Sequence, residues 1–266
     1  MSTHWLEISE GNAPLVLSIP HTGLTIPDEI AQQLQCDKET ALADTDWWVD
    51  KLYSFAPELG ITVVRSHISR TVIDLNRDPS GVSLYPGQTT TQLCPQERFD
   101  GVPFYPAPLS EEETEYRKAT WFMPYHNALS HQLNRLKRQH GQVVLFDAHS
   151  IRSLCPRLFE GELPGLNLGT NTDKSCHSDY ATIAFSALQS SVHSAVSNGR
   201  FKGGWITRHY GNPGQGIHAL QLEIAQRCYL REPAEPGRPE YDAAYAAPLQ
   251  NELKQLLSRL IDRAKS

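Results

Sequence analysis

Short apolar or β-branched runs alternate with longer segments of helical periodicity along this chain, and that alternation constrains its fold most. The runs predict strands at residues 14–19, 61–65, 71–75, 143–146, 204–210 and 218–224. The longer segments predict helices at residues 43–55, 112–140, 178–198 and 240–265, with a break at Pro124. Strands that are apolar throughout are typical of parallel sheets covered by helices. We therefore expect an α/β fold with a mixed, largely parallel sheet and helices on both faces. No linker interrupts the pattern, so residues 1–266 are expected to form a single domain.

Composition and termini exclude several classes of function. The net charge is −6, which does not favour nucleic-acid binding, and no apolar run approaches the roughly 18 residues that span a bilayer. The first residues, MSTHWLEISEGN, lack the features of a signal peptide. The five cysteines are scattered and form no CxxC pair. We expect a cytoplasmic protein that acts on a small molecule, without nucleic-acid or membrane partners. The oligomeric state stays open.

Two histidines stand where a site is expected on such a sheet. Ligands bind beyond the carboxyl ends of the strands in α/β folds. His21 follows the first strand in SIPHTG, and His149 follows another in FDAHS. A turn or capping role is the simpler interpretation of either histidine alone. Their matching positions favour a metal site, in which imidazoles and usually one carboxylate are the ligands.

A carboxylate ligand could come from the segment ADTDWWVD, which contains Asp44 and Asp46. Aspartate is also a favoured residue at a helix N-terminus, so capping explains each of them equally well. The residues alone do not distinguish the two aspartates.

Three further positions could act on a substrate. Glu223 lies in the alternating run HALQLEI, where it is either a solvated strand residue or a buried, functional carboxylate. Arg70 precedes the run 71–75, and Asn76-Arg77 follow it. Arginine binds carboxylates through two parallel hydrogen bonds, although ordinary surface charge is the alternative. The residues by themselves indicate a hydrolase-like α/β enzyme and leave its dependence on a metal open.

Six motifs, taken in order, carry a family resemblance. The chain resembles the N-formylglutamate amidohydrolase family, and specifically the branch that acts in histidine degradation. No single motif is specific, whereas their order is. The motifs are PHTG at 20–23, DTDWW at 44–48, SRTVIDLNR at 69–77, PYH at 124–126, DAHS at 147–150 and HALQLEI at 218–224.

The resemblance implies hydrolysis of N-formyl-L-glutamate to L-glutamate and formate on one divalent metal ion, Zn²⁺ being the first choice. It also implies a fold similar to that of the zinc carboxypeptidase and aspartoacylase group, in which an HxxE pair supplies two ligands. This chain departs from that pair, because Leu24 stands three residues after His21. The implied ligands are therefore His21, His149 and either Asp44 or Asp46, with a slight preference for Asp46.

The resemblance also implies substrate-contacting roles. Glu223 would be the general base, and Asn76 with Arg77 would bind a substrate carboxylate. Arg70 and His218 would assist substrate binding or stabilise the oxyanion.

Three alternatives remain open. The same metal site could hydrolyse another N-acyl amino acid or a short peptide. The chain could bind acidic metabolites without catalysis. A cysteine hydrolase could use Cys176 beside His177 and Asp173.

Overall fold

A seven-stranded mixed sheet organises the computed structural model, which describes residues 5–83, 87 and 90–266. The strand order is β1-β3-β2-β4-β7-β5-β6. Strands β3, β2, β4 and β7 are mutually parallel, as are β5 and β6, whereas β1 and β5 join their neighbours β3 and β7 antiparallel. The strands are β1 (Leu6–Ser9), β2 (Leu15–Ile19), β3 (Thr62–Ser66), β4 (Val143–Ile151), β5 (Leu166–Gly169), β6 (Ala195–Ser197) and β7 (Ile217–Ala225).

Helices cover both faces of this sheet. On one face, Tyr125 of α5 reaches Ser18 of β2 with its hydroxyl. On the other, the ring of Tyr180 on α6 stacks on His218 of β7, and α6 packs on α8. The expected α/β architecture is thus confirmed. The helices are α1 (Asp28–Ala31), α2 (Lys38–Ala41), α3 (Val49–Leu52), α4 (Glu111–Arg117), α5 (Met123–His140), α6 (Ser178–Gln189), α7 (Trp205–Tyr210) and α8 (Ala243–Lys265).

Strand register places four polar side chains on one face of the central strands. Ser18 of β2 is opposite Asp147 of β4, and His149 of β4 is opposite Glu223 of β7. Side chains alternate between faces, so these four point the same way. Both long strands, β4 and β7, are buried almost throughout, so their polar residues need partners within the protein.

One predicted helix is much shorter than expected, and two predicted strands are wrong in type. The helix expected at 43–55 is reduced to α3, because Trp48 has a left-handed φ of 60° that an α-helix does not admit. Residues 71–75 form turns instead of a strand; the β-branched Val72 and Ile73 are nevertheless buried in the core. Residues 204–210 contain helix α7, whose buried Ile206, Thr207 and Tyr210 follow helical spacing.

Other predicted elements are present with different bounds. The strand expected at 143–146 continues to Ile151, so Asp147 and His149 lie within it. The helix expected at 178–198 ends at Gln189, and β6 follows. A π-helical turn, Lys118–Phe122, precedes Pro124 at the expected break. Strands β1 and β5 were not predicted.

All seven strands lie in one sheet, which favours the single-domain interpretation, although that remains a prediction. Among the described residues, no helix combines the length and apolar character needed to cross a membrane. All five cysteines are unpaired.

Candidate metal centre and its pocket

His21, Asp46 and His149 converge at the carboxyl ends of β2 and β4. One potential ligand atom from each lies within 4.8 Å of the others, and all three residues are buried. His149 Nδ1 is 3.1 Å and His21 Nδ1 3.7 Å from Asp46 Oδ2. The backbone N–H of Asp46 donates to the carbonyl of His21, which fixes the aspartate loop beside the end of β2.

A carboxylate holds the other nitrogen of each imidazole. Asp74 Oδ1 lies 2.9 Å from His21 Nε2, and Asp147 Oδ2 lies 2.8 Å from His149 Nε2. A carboxylate that accepts from Nε2–H fixes the tautomer and leaves Nδ1 with its lone pair. Both Nδ1 atoms then face the centre of the group, as ligands of one ion would.

Further donors hold the three carboxylates in place. Arg70 donates from its two Nη atoms to Asp46 Oδ1 at 2.9 Å and to Asp74 Oδ2 at 3.0 Å. Asn76 donates from Nδ2 to Asp147 Oδ2 at 3.0 Å, and its Oδ1 accepts from the N–H of Ile206. These bonds join the polar groups from four different chain segments into one network.

Burial and the neighbouring charged groups shift the pKa values of the network in opposite directions. Burial alone would raise the pKa of Asp46, but the bonds to His149 and His21 hold it below its ordinary value. The pKa of Asp74 is well below its ordinary value, since Arg77, His21 and Arg70 outweigh burial. Burial would lower the pKa of His149, yet Asp147 and Asp46 raise it well above the ordinary value. In all three groups, the interactions with charged partners therefore affect the pKa more than burial does.

Two features show that the residues fit a bound cation. Among the described residues, His21 Nδ1 is a buried polar atom without a hydrogen-bond partner, although such atoms are normally satisfied. The donor set is also rich in buried carboxylates: Asp46 and Asp74 accept from Arg70, and Glu223 lies beside His149 on the neighbouring strand. Two imidazoles with one carboxylate are a frequent ligand set for catalytic zinc.

Glu223 lies beside this group on β7 and lines the adjacent pocket. Burial raises the pKa of its carboxyl to about 8. Gln221 Nε2 approaches it to 3.5 Å, while Gln221 Oε1 accepts from the N–H of Gly204 at 2.7 Å. A Cβ on Gly204 would lie 2.5 Å from Asn76 Nδ2, so only glycine allows this close approach.

The pocket opens over Glu223 and the paired histidines. The guanidiniums of Arg70, Arg77 and Arg200 line it, together with the apolar side chains Phe99, Ile151, Leu158 and Phe201. Arg77 Nε donates to Thr91 Oγ1 at 3.1 Å and lies 3.3 Å from Asp74 Oδ2. Such a cavity suits a small polyanionic molecule with a short carbon chain.

The structure brings most of the candidate site residues together, but not Asp44 or His218. Asp44 accepts from the backbone N–H of Phe99 and from Arg152, outside the metal-binding group. His218 lies at the start of β7, on the face opposite Glu223, where it accepts from the N–H of His177. Neither residue lines the pocket, since Asp44 is bonded to Phe99 and Arg152 and the ring of His218 packs on Tyr180 of α6; their predicted roles at the site stay predictions.

Sequence reasoning missed Asp74, Asp147, Gln221 and Arg200. Asp74 and Asp147 each interrupt a run of apolar residues, a signal that a buried charge with a partner is present. Gln221 shares the polar face of its strand with Glu223, which was visible in the alternation. No sequence signal marked Arg200, because its place in the pocket depends on the crossover from β6 to α7.

Comparisons with known proteins agree on one family. The N-formylglutamate amidohydrolase family model matches residues 13–230. An N-formylglutamate deformylase of Pseudomonas putida is 45% identical over 260 residues, which cover 96% of this chain and 95% of that protein. The Pseudomonas aeruginosa protein of the same name is 42% identical, over 97% of this chain and 94% of its own.

Solved structures support the fold. The crystal structure of an N-formylglutamate amidohydrolase from Ralstonia eutropha JMP134 superposes with a TM-score of 0.82 at 23% identity, covering 98% of both chains. A gene product of Agrobacterium tumefaciens superposes with a TM-score of 0.69 at 18% identity, covering 96% of both.

Proposed function

The chain belongs to the N-formylglutamate amidohydrolase family, and we propose that it hydrolyses N-formyl-L-glutamate to L-glutamate and formate on one divalent metal ion, Zn²⁺ being the first choice. The observation that carries the metal dependence is the convergence of His21 Nδ1, His149 Nδ1 and Asp46 Oδ2, with His21 Nδ1 lacking a protein partner among the described residues. The deformylase names of two relatives above 40% identity support the substrate.

His21, Asp46 and His149 would hold the ion. When bound, such an ion acidifies water and polarises a carbonyl oxygen. Asp74 and Asp147 keep the two imidazoles oriented, and Arg70 keeps the carboxylates of Asp46 and Asp74 in place. The chain thus contributes a fixed arrangement of donors and charges around the reacting amide.

Glu223 is the proton carrier in this proposal. It accepts a proton from the attacking water and returns it to the leaving amine nitrogen. A carboxyl whose burial raises its pKa to about 8 can serve in both directions near neutral pH. Gln221, anchored by Gly204, restricts where the Glu223 carboxyl can move.

Arg77 is the proposed site for the substrate α-carboxylate. That carboxylate sits on the carbon that carries the amide nitrogen, so its partner must lie close to the metal-binding residues. Arg77 meets this condition, because Asp74 contacts both Arg77 and the ligand His21. Asn76 contributes indirectly by holding Asp147 and the N–H of Ile206.

Metal analysis combined with a formate-release assay tests the proposal. We expect about one divalent ion per chain, formate release from N-formyl-L-glutamate, and loss of activity on chelation with recovery on adding metal. His149→Ala should lose the metal, whereas Asp44→Asn should keep it. Full activity after complete metal removal would refute the metal dependence. Faster turnover of N-acetyl-L-glutamate or a short peptide would favour the alternative substrates, and absence of any hydrolysis would favour a binding module.

The cysteine hydrolase alternative has little support. Cys176 is buried, and burial raises the pKa of its thiol to about 12, which leaves almost no thiolate at neutral pH. The Nδ1 of His177 accepts from the N–H of Asp179 at the start of α6, and Asp173 accepts from Thr170. Insensitivity of formate release to thiol alkylation would exclude this alternative.

We also propose that the reaction serves histidine degradation in the cytoplasm, on the strength of the sequence resemblance to that branch of the family. Loss of growth on histidine after deletion of this protein, together with accumulation of N-formyl-L-glutamate, tests the pathway.

A further inference from the structure

We propose that Arg200 binds the side-chain carboxylate of the substrate and so restricts the enzyme to N-acyl amino diacids. This inference rests on the proposed hydrolysis of N-formyl-L-glutamate. It assigns a specificity role to a residue that lies outside the six motifs on which the family resemblance rests.

The proposed substrate carries two carboxylates, and three guanidiniums line the pocket. Both Nη atoms of Arg70 are bonded to Asp46 and Asp74, which commits this guanidinium to the metal-binding network. Arg77 lies beside Asp74 as well. The third guanidinium that lines the pocket belongs to Arg200, on a separate chain segment.

Arg77 and Arg200 line the same pocket as Glu223 but come from separate chain segments. His149 and Glu223 lie on the central pair β4 and β7. Arg77 contacts Asp74, the partner of His21, whereas Arg200 lies just after β6, which is two strands beyond β7. A substrate beside Glu223 therefore has two guanidiniums within one pocket, of which Arg77 is the one beside the partner of a proposed metal ligand.

Short contacts fix the segment that carries Arg200. Its Nε donates to the carbonyl of Leu158 at 2.7 Å, and its guanidinium lies over the ring of Phe201 at 5.3 Å. Further along, the carbonyl of Lys202 accepts from the N–H of Asn171 at 2.6 Å, and Gly204 donates to Gln221. These contacts tie the segment that carries Arg200 to β7, the strand of Glu223, as recognition of a defined chain length requires.

The substrate has matching geometry. In N-formyl-L-glutamate the α-carboxylate is attached to the carbon next to the amide nitrogen, while the side-chain carboxylate lies beyond two methylene groups. The nearer carboxylate suits Arg77, and the farther one suits Arg200. Phe201 and Leu158 beside Arg200 provide apolar surface for the methylene groups.

Amide analogues of the substrate separate this role from a structural one. Removing a charge-assisted bond to a carboxylate costs roughly 10- to 150-fold in kcat/KM. Arg200→Ala and Arg200→Gln should lower kcat/KM by that factor on N-formyl-L-glutamate, mainly through KM. On N-formyl-L-glutamine, where the side-chain carboxylate is an amide, the change should stay below about threefold, equivalent to less than about 1 kcal/mol. Arg77→Ala should show the converse pattern, sparing only the α-amide.

A control variant and two kinds of contrary result distinguish failure of this proposal from failure of the proposed function. Arg231→Ala, at a side chain 72% exposed, removes an arginine elsewhere and should leave both substrates unaffected. Equal losses on the acid and the γ-amide in both Arg200 variants would overturn the proposal, as would a wild-type enzyme that turns over the two equally well. If wild-type enzyme released no formate from N-formyl-L-glutamate, the proposed function itself would fail instead.

Discussion

Replacing Asp147 with asparagine tests whether the carboxylates behind the histidines prepare the metal site. Asp147 Oδ2 lies 2.8 Å from His149 Nε2 and accepts from Asn76 Nδ2 at 3.0 Å, while its Oδ1 accepts from Ser18 Oγ at 2.7 Å. Asparagine has the same shape but no charge, and one of its two polar atoms is a donor. Whichever way its amide turns, the strong acceptor for His149 is weakened or lost.

The expected loss follows from these bonds. A hydrogen bond to a charged group contributes about 1.5–3 kcal/mol, against about 0.5–1.5 kcal/mol for a neutral pair. We therefore expect metal affinity to fall about 10- to 100-fold, the usual effect of losing such a partner, equivalent to about 1.4–2.7 kcal/mol.

Competition with a chelator of known affinity measures this directly, with circular dichroism confirming that the variant folds. Asp44→Asn is the matched control, since it neutralises another buried aspartate of the same region whose partners are Phe99 and Arg152. It should change metal affinity less than about threefold. If Asp147→Asn bound metal as tightly as this control, the orienting role of Asp147 would have to be abandoned.

Three further predictions concern catalysis, acid stability and packing. Glu223→Gln should keep its metal and lose about 10²- to 10⁴-fold in kcat, measured by formate release; a loss below about threefold would make Glu223 structural. Burial lowers the pKa of His126 to about 4. Between about pH 6.5 and 4 the unfolded chain therefore binds more protons than the folded protein, and the free energy of unfolding decreases by up to about 3 kcal/mol as the pH is lowered through this range. Urea unfolding at several pH values should show a shallower decline for His126→Gln; an unchanged slope would contradict this assignment. Gly204→Ala forces a Cβ to within 2.5 Å of Asn76 and should cost about 1–3 kcal/mol of stability together with metal affinity, and a variant unchanged in both would show that this contact relaxes freely.

Local pattern predicted the parts of the fold that depend on burial. The runs that became β2, β3, β4 and β7 are apolar because helices cover both faces, and they were recognised as strands. The run at 71–75 also contains buried β-branched residues, yet it forms a turn in which the N–H of Asp74 donates to the carbonyl of Leu93. Periodicity reports burial and cannot tell which backbone partner a residue will find.

The same limit applies to the polar network. His21 and His149 were predicted because they stand at strand ends, a local feature. Asp74 and Asp147 orient them across 53 and 2 residues of sequence respectively, and Asn76 reaches Asp147 from 71 residues away. The partners Asp74 and Asn76 depend on how distant segments pack together, which no short motif contains, whereas Asp147 and His149 share the motif DAHS.

Asp44 and Asp46 show what decides between two equivalent candidates. Both are buried, both lie in one motif, and capping or metal binding suits either by residue type. The turn between α2 and α3 separates them: the N–H of Asp46 donates to the carbonyl of His21, and Trp48 takes a left-handed φ of 60° just beyond. This geometry directs the Asp46 carboxylate toward both histidines and leaves Asp44 to accept from Phe99. Separate asparagine substitutions should therefore differ sharply: Asp46→Asn should lose the metal, while Asp44→Asn keeps it. Equal metal retention in the two variants would mean that the convergence of Asp46 with His21 and His149 does not represent the ligand set.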